Sequence, residues 1–402
     1  MFLNILHIID IILWVLMAAS VAYILFFALV STLWKKRVSD LTLFLTGKVL
    51  AMRKKEFFTF LILYPAYNED RVIVSSVQKF VSQYYPYKSF HVAVISDHMQ
   101  PETNQKLSEL PIILLQPVFE KSSKAKAMQY AMDQIKEDYD YVVILDADNV
   151  VEPHFLEQLN KECAKGYKAI QCHRCAKNND NDIAVLDGVS EEINNTIFRK
   201  AHNRIGLSSA LIGSGMCFDF NWFKENVYQL TTAGEDRELE ALLLKQKVYI
   251  HYEPDIHVFD EKVSNKDNFQ KQRLRWMTAQ IQSLLRMLPD IPKAIKTFNL
   301  DFIDKTIQQA LIPRSMLVVA TFGMAILMTI VSLFASLYWY IKWWVLFLAI
   351  CIALYIATPK QLRSHSVFGK ILSLPKLVWK MVLNILKIDH KNTDFIHTSH
   401  DK

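Results

Sequence analysis

Asp146 and Asp148 stand one residue apart at the end of an apolar run, a spacing that suits metal or phosphate chemistry. Alternate residues of an extended segment project to the same side, so the two carboxylates face one way. Two negative charges this close repel each other unless a cation lies between them. The pair therefore predicts a cation-binding site at the end of a strand.

Two further groups of polar residues follow in the chain. Glu235 and Asp236 open a helical pattern, where an acid can accept a proton from a hydroxyl or cap the helix. A Gln-Arg-Leu-Arg-Trp run then places Gln272, Arg275 and Trp276 at i, i+3 and i+4, on one helix face. An arginine there can stabilise an anionic leaving group beside a flat aromatic surface. Interfacial anchoring of the Arg-Trp pair is the alternative.

The elements that must position these residues can be read from the apolar pattern. Runs rich in β-branched and aromatic residues predict strands at 57–64, 90–96, 112–115, 141–145 and 168–172. The segments between them predict helices at 70–83, 122–135 and 153–165. This alternation indicates a mostly parallel sheet covered on both faces. Ligands of such sheets bind beyond the carboxyl ends of the strands, where Glu69, Asp97 and Asp146 fall.

Three apolar runs, at 11–33, 315–341 and 343–358, lie outside this region of a chain that is 51% hydrophobic with mean hydropathy +0.12. They are long enough to cross, or nearly cross, a ~30 Å hydrocarbon core. Basic residues at 35–37 and after Thr358 put the globular part on the cytoplasmic side. We expect an integral membrane protein of a bacterial inner or plasma membrane. A cleaved signal peptide is the alternative for the first run.

Charge and cysteine content narrow the functional classes. A net charge of +6 is too modest and too dispersed to indicate nucleic-acid binding, and it fits contact with anionic lipids and a phosphorylated ligand. The five cysteines include one CxxC pair, Cys172 and Cys175, without the second pair of a zinc site. Buried thiols in a reducing cytosol are the preferred interpretation, with a zinc or redox site as the alternative.

These motifs resemble those of the inverting glycosyltransferases of family 2, and in particular of its membrane-bound cellulose, hyaluronan and poly-N-acetylglucosamine synthases. The resemblance runs from about Phe57 to Trp276. The segments that carry it are Leu63-Tyr64-Pro65-Ala66-Tyr67-Asn68-Glu69, Asp146-Ala147-Asp148, Gly234-Glu235-Asp236 in place of Thr-Glu-Asp, and the Gln-Arg-Leu-Arg-Trp run. It implies a GT-A domain, a Rossmann-like mixed α/β sheet, in the cytosol, with transmembrane and interfacial helices attached.

The resemblance implies a UDP-sugar donor held by Tyr67, Glu69, Asp97, Lys124, Asp146 and Arg273. It also implies Mg²⁺ or Mn²⁺ on Asp146 and Asp148, where the metal would neutralise the diphosphate leaving group as a Lewis acid. A helix cap is the alternative role for Asp97, which His98 follows in place of the usual Asp or Ser. A solvated helix lysine is the alternative for Lys124.

Asp236 matches the family's general base, and Glu235, Gln272, Arg275 and Trp276 complete the implied catalytic set. Direct in-line attack by the acceptor needs no covalent intermediate, so the anomeric configuration inverts. The residues implied to line the acceptor sugar are Gly213, Ser214, Gly215 and Trp276, with a generic turn as the alternative for the glycine-rich segment.

The C-terminal tail loosely resembles a gating loop that closes over the donor, which implies contacts from Thr398 and from His397 or His400. A disordered tail is the alternative. The predicted domains are a transmembrane helix at 1–34, the GT-A domain at 50–280, interfacial helices at 281–314, two transmembrane helices at 315–358, and an amphipathic helix with the gating tail at 359–402.

The expected function is hexosyl transfer from a UDP-sugar to a glycan in extracellular or capsular polysaccharide synthesis. Export of a long product through so few spans would need an oligomer or a partner protein. A single addition to a lipid-linked acceptor is therefore the alternative. A third interpretation is a non-catalytic membrane subunit that only binds nucleotide-sugar.

Overall fold

The computed structural model describes residues 2–34, 36–49, 51–178, 181–232, 234–262, 266–335 and 338–363. Within these ranges the strands form one eight-stranded sheet in the order β3-β2-β1-β4-β7-β6-β8-β5. In chain order the strands are β1 (Phe60–Tyr67), β2 (Phe90–Asp97), β3 (Ile113–Leu115), β4 (Tyr141–Ile144), β5 (Val150–Val151), β6 (Ala169–Ala176), β7 (Met216–Asp219) and β8 (Ile250–Asp260).

The five predicted strands correspond to β1–β4 and β6, and the structure confirms each of them within a few residues. β5, β7 and β8 are additional. β7 runs antiparallel to both β4 and β6, which makes the sheet mixed. β8 pairs with β6 in parallel across a register shift at Cys172 and His173, and Pro254 and several charged residues interrupt its apolar pattern. A proline within a run argues against a strand, because proline cannot donate a hydrogen bond to a β-ladder.

Helices cover both faces of the sheet and bury two apolar cores, one on each side. The three predicted helices are α3, α5 and α6. The helices of this part of the chain are α2 (Asp40–Leu45), α3 (Ile73–Phe80), α4 (Pro101–Ser108), α5 (Lys124–Gln134), α6 (Phe155–Ala164), α7 (Asp182–Asn194, continued by a π-helix at Asn195–Ala201), α8 (His202–Arg204), α9 (Phe220–Asn226) and α10 (Glu235–Lys245).

Three helices are long and apolar enough to cross a membrane: α1 (Phe2–Leu33), α14 (Arg314–Ala335) and α15 (Tyr340–Ala357). Asp10 of α1 holds α15 through the Lys342 ammonium and through the Trp343 indole N–H, 2.8 Å from its Oδ1. Three more helices, α11 (Lys266–Met287), α12 (Ile291–Lys296) and α13 (Leu300–Ala310), connect the globular part to α14. The predicted amphipathic helix and the gating residues His397, Thr398 and His400 lie outside the described residues.

At the amino ends of β6 and β8, Glu162, His251 and Glu253 form a buried cluster. His251 Nε2 lies 3.5 Å from a Glu162 oxygen and 3.3 Å from a Glu253 oxygen. Three such groups could hold a metal ion. However, Lys165 Nζ lies 2.7 Å from Glu162 Oε1 and Arg37 Nη1 lies 3.0 Å from His251 Nε2, so cations of the chain already compensate the cluster. We interpret it as an ion-pair cluster, at the sheet edge opposite Asp146.

Glu162→Gln tests this interpretation. Burial opposes ionisation of Glu162, but hydrogen bonds and charges of His251 and Lys165 outweigh it and lower the pKa from 4.5 to about 2. The stabilisation is therefore fully present above pH 4.5 and is lost as the pH falls toward 2. We expect Glu162→Gln to lower the Tm at pH 7, and the difference from wild type to shrink between pH 4.5 and 3.

The matched control is Glu157→Gln on the same helix, because Glu157 pairs with Lys161 at the solvent-exposed surface and such pairs contribute little. Thermal unfolding in neutral detergent measures both variants. An equal Tm loss at pH 7 and pH 3 for Glu162→Gln would contradict the ion-pair interpretation. A Zn²⁺-dependent rise in Tm that Glu162→Gln abolishes would identify a metal site instead.

Candidate active site

The carboxyl ends of β1, β2 and β4 open into a cavity of about 940 Å³, which continues to α14 and α15. Most of the predicted site residues line this one cavity, although they come from seven separate parts of the chain. They are Tyr67, Glu69, Asp97, Lys124, Asp146, Asp148, Gly213, Glu235, Asp236, Gln272, Arg273, Arg275 and Trp276.

Lys124 is the first residue of α5, and its buried ammonium group is the centre of the polar half of the cavity. It donates hydrogen bonds to Asp146 Oδ1 and, at 2.7 Å, to the Gly213 carbonyl. Glu235 Oε1 lies 3.6 Å away. Burial opposes the ionisation of Asp146, but the charges of Lys124, Arg174 and Arg275 lower its pKa below the ordinary value. Lys124 is thus not a solvated surface lysine.

The turn after β4 presents the carboxylate of Asp148. Asp148 Oδ2 accepts the Glu261 N–H at 2.8 Å, and Oδ1 accepts the side-chain amide of Asn149 at 3.1 Å. Asn149 Oδ1 in turn accepts the Asp146 N–H at 2.9 Å, which fixes the turn. The set of carboxylate oxygens from Asp146 and Asp148 fits Mg²⁺ or Mn²⁺, which prefer hard oxygen ligands.

Helix α10 begins at Glu235, which brings Glu235 and Asp236 to the cavity. Burial raises the pKa of Glu235 to about 7, the charge of Lys124 opposes this shift, and the Asp236 carboxylate adds to it. Asp236 Oδ2 lies 3.7 Å from where a Cβ on Gly213 would be, and Gly213 adopts a φ of +75°. The two acids therefore differ: Glu235 is buried against Lys124, and Asp236 faces the glycine loop.

The start of α11 forms the opposite wall, as its i, i+3, i+4 spacing predicts. Gln272, Arg275 and Trp276 line the cavity, and the charge of Arg275 reaches Asp146. The Arg273 guanidinium lies 4.6 Å from the Trp276 ring centroid and pairs with a carboxylate of α7. Cationic groups and an aromatic ring thus face the carboxylates across the cavity.

At the end of β2, Asp97 Oδ1 pairs with His98 Nδ1 at 2.5 Å, and the His98 ring lies 5.4 Å from the Tyr67 ring in an edge-to-face arrangement. His98 has a φ of +56°, which turns the chain sharply after the strand. Helix α4 begins after Gln100 without any side-chain cap. The helix-cap alternative for Asp97 is therefore wrong for this helix, and Asp97 faces the cavity.

Two predicted acceptor residues do not line the cavity. Ser214 is fully buried and bonds the Asn149 side chain through its hydroxyl. Gly215 has a φ of +63°, and an added Cβ would lie 3.0 Å from Val258 Cγ2. Both residues support the loop of Gly213 from the interior of the domain. An acceptor contact by Ser214 or Gly215 stays a prediction, although neither residue lines the cavity.

A buried charge network behind Asp146 carries no sequence motif. Arg174 Nε lies 3.3 Å from Asp260 and Nη2 lies 3.5 Å from Glu191, which also pairs with Arg199 at 3.1 Å. Burial opposes ionisation of Glu191, but Arg174 and the neighbouring Lys262 and Arg199 lower its pKa to about 2. Its members lie on β6, α7, the π-helix and β8, so no local spacing could have revealed the network.

Comparisons with solved structures identify the fold. The mannosyltransferase PcManGT from Pyrobaculum calidifontis in complex with GDP-Man and Mn²⁺ aligns over 86% of this chain and 97% of its own, with 16% identity and a TM-score of 0.53. TarS 1–349 of S. aureus in complex with UDP-GlcNAc aligns over 82% and 92%, with 13% identity and a TM-score of 0.42. No curated protein matches the sequence significantly. The mixed α/β sheet is of the GT-A type.

The family follows from the sequence match. The model of glycosyl transferase family group 2 matches residues 141–357, which is more than half of the chain. This range includes Asp146, Asp148, Asp236 and the α11 wall, as well as α14 and α15. The chain belongs to glycosyl transferase family group 2.

Proposed function

We propose that this chain is a membrane-bound, inverting glycosyltransferase that moves a hexose from a UDP-sugar to a hydroxyl of a glycan built for the cell surface. The observation that carries the proposal is the single cavity. It joins paired carboxylates, a buried lysine, a second pair of acids and an Arg-Trp wall from separate elements. Each of these groups has a task in displacing a nucleoside diphosphate.

The donor binds at the carboxyl ends of β1, β2 and β4. Asp97 and Tyr67 contact the base, and Lys124, Arg275 and Arg273 face the diphosphate. Asp146 and Asp148 would hold Mg²⁺ or Mn²⁺, which neutralises the leaving group as a Lewis acid when bound. The PcManGT structure supports this arrangement, because it holds a nucleotide-sugar together with Mn²⁺.

The acceptor hydroxyl enters between Gly213 and Trp276. Its oxygen attacks the anomeric carbon, the bond from that carbon to the diphosphate oxygen breaks, and Asp236 takes the hydroxyl proton. Glu235, whose pKa burial raises to about 7, pairs with Lys124 at 3.6 Å and keeps its ammonium group in place. A single displacement inverts the anomeric centre.

The predicted domain boundaries fit this function. Residues 50–280 form the catalytic domain and 281–314 its interfacial connection, with membrane helices at 1–34 and 315–358. The positive charges of Lys36 and Arg37 after α1 favour a cytoplasmic catalytic domain. The gating role of the tail stays a proposal, because residues 364–402 lie outside the described part of the chain. The proposed partners of the protein are anionic lipids and either a second copy of the chain or an export protein.

UDP release tests the proposal. With Mn²⁺ and a panel of UDP-sugars plus GDP-mannose, we expect detergent-purified protein to turn over one UDP-sugar. Asp236→Asn should lower kcat by ~10²–10⁴-fold with UDP affinity retained, because it removes only the base. Asp148→Asn should instead weaken metal-dependent UDP binding.

The matched control is Asp138→Asn. Asp138 is exposed and lies before the amino end of β4, opposite the cavity, so this variant should behave as wild type. Wild-type turnover by Asp236→Asn would contradict the role of that residue. Turnover of GDP-mannose alone would contradict the choice of UDP.

The glycine loop supplies a second test. Gly213 and Gly47 have φ values of +75° and +72°, so an alanine is equally strained at either site, but only Gly213 faces Asp236. We expect Gly213→Ala to lower kcat about tenfold or more, because its methyl group occupies acceptor space next to the base. Gly47→Ala, which meets no atom within 4 Å, should keep wild-type kcat. Equal kcat for both variants would remove Gly213 from the acceptor site.

A further inference from the structure

The cavity has a second, apolar half that a nucleotide-sugar does not explain. Beyond Trp276 the walls come from α7, α14 and α15, all of which pack in the apolar cluster that includes α1. The lining side chains are Val189, Val318, Phe322, Phe347, Cys351 and Leu354. Nucleotides, diphosphates and sugars carry no hydrocarbon chain, so this apolar half fits a different reactant, one that has such a chain.

Arg314 lies where the polar and apolar halves meet. It is the first residue of α14 and lines the cavity. Its Nη2 donates to the Ser190 carbonyl at 3.1 Å and to the Ser190 hydroxyl at 3.2 Å. Among the described residues, its buried Nη1 finds no hydrogen-bond partner, and its guanidinium makes no ion pair.

The neighbouring arginines differ from Arg314 in this respect. Arg273 pairs with Asp187, and Arg199 pairs with Glu191. An arginine stays ionised in proteins, and a charge withdrawn from water without a counter-charge is costly. The guanidinium fork matches the oxygens of a phosphate group. A bound phosphate would supply a directly paired counter-charge at the mouth of the apolar half.

We propose that the acceptor is carried on a membrane lipid with a phosphate-containing head group. This inference rests on the proposed function. The phosphate binds Arg314, the hydrocarbon chain lies along Phe322, Phe347 and Leu354, and the acceptor hydroxyl reaches Asp236. Charge complementarity at Arg314 and the continuity of the cavity with the donor site select this occupant over a free glycan, which would leave the apolar walls without a partner.

A binding experiment on the full chain tests the phosphate site. The protein is held in dodecyl maltoside micelles doped with hexadecyl phosphate, with hexadecanol, or with inorganic phosphate in the buffer. We expect hexadecyl phosphate to raise the Tm at mole fractions where hexadecanol does not, and inorganic phosphate to have no such effect. Arg314→Gln should weaken this response ~10-fold or more.

Arg204→Gln is the matched control, because Arg204 donates to a main-chain carbonyl of α1 and lies outside the cavity. It should respond as wild type. Equal responses to the phosphate and the alcohol, or equal loss in both arginine variants, would overturn the assignment of Arg314.

A transfer experiment separates this inference from the proposed function. The donor that the protein turns over is supplied with a radiolabelled sugar, together with a total lipid extract of the source membranes. We expect label in the organic phase after chloroform–methanol extraction, and less of it with Cys351→Trp, which narrows the apolar half. Donor turnover with label only in water-soluble product would overturn the lipid acceptor and leave the proposed function intact. No turnover with any donor would overturn both.

Discussion

The buried ammonium group of Lys124 is the interaction on which the geometry of the site depends. It joins the turn after β4, the loop of Gly213 and the start of α10 through Asp146, the Gly213 carbonyl and Glu235. Burial opposes its charge, yet Asp146 and Glu235 raise its pKa above the ordinary value. Without this cation, the neighbouring carboxylates would repel one another at low dielectric. One α5 residue thus connects three separate segments of the cavity wall.

The second constraint is the contact between the catalytic domain and the apolar helices. Helix α7 and its π-helix face the charge network of Arg174 and Glu191 on one side and α1 on the other. The same helix supplies Ser190, which binds Arg314. Because one element touches both parts, the donor site and the apolar half of the cavity keep a fixed relation. The proposed lipid-borne acceptor requires such a fixed relation.

The local pattern of the sequence was sufficient to predict part of this architecture. Apolar runs rich in β-branched and aromatic residues located β1–β4 and β6, and the order of Asp146, Asp148, Asp236 and the α11 wall predicted one polar cavity. β7 and β8 were missed because their pairing is long-range and Pro254 breaks the pattern of β8. The Arg174 network and Arg314 were missed for the same reason, since each acquires its role only from chain segments distant in sequence. The family resemblance implied Ser214 and Gly215 as acceptor residues, but both side-chain positions face the interior of the domain rather than the cavity.

The central claim is that one base, Asp236, drives a single displacement in this cavity. The most direct test is the anomeric configuration of the transferred sugar, determined by NMR of the product made from a donor of known configuration. The account predicts inversion relative to the donor. Retention of configuration would require a second displacement and a covalent or ion-pair intermediate, and would contradict the roles assigned to Asp236 and Glu235.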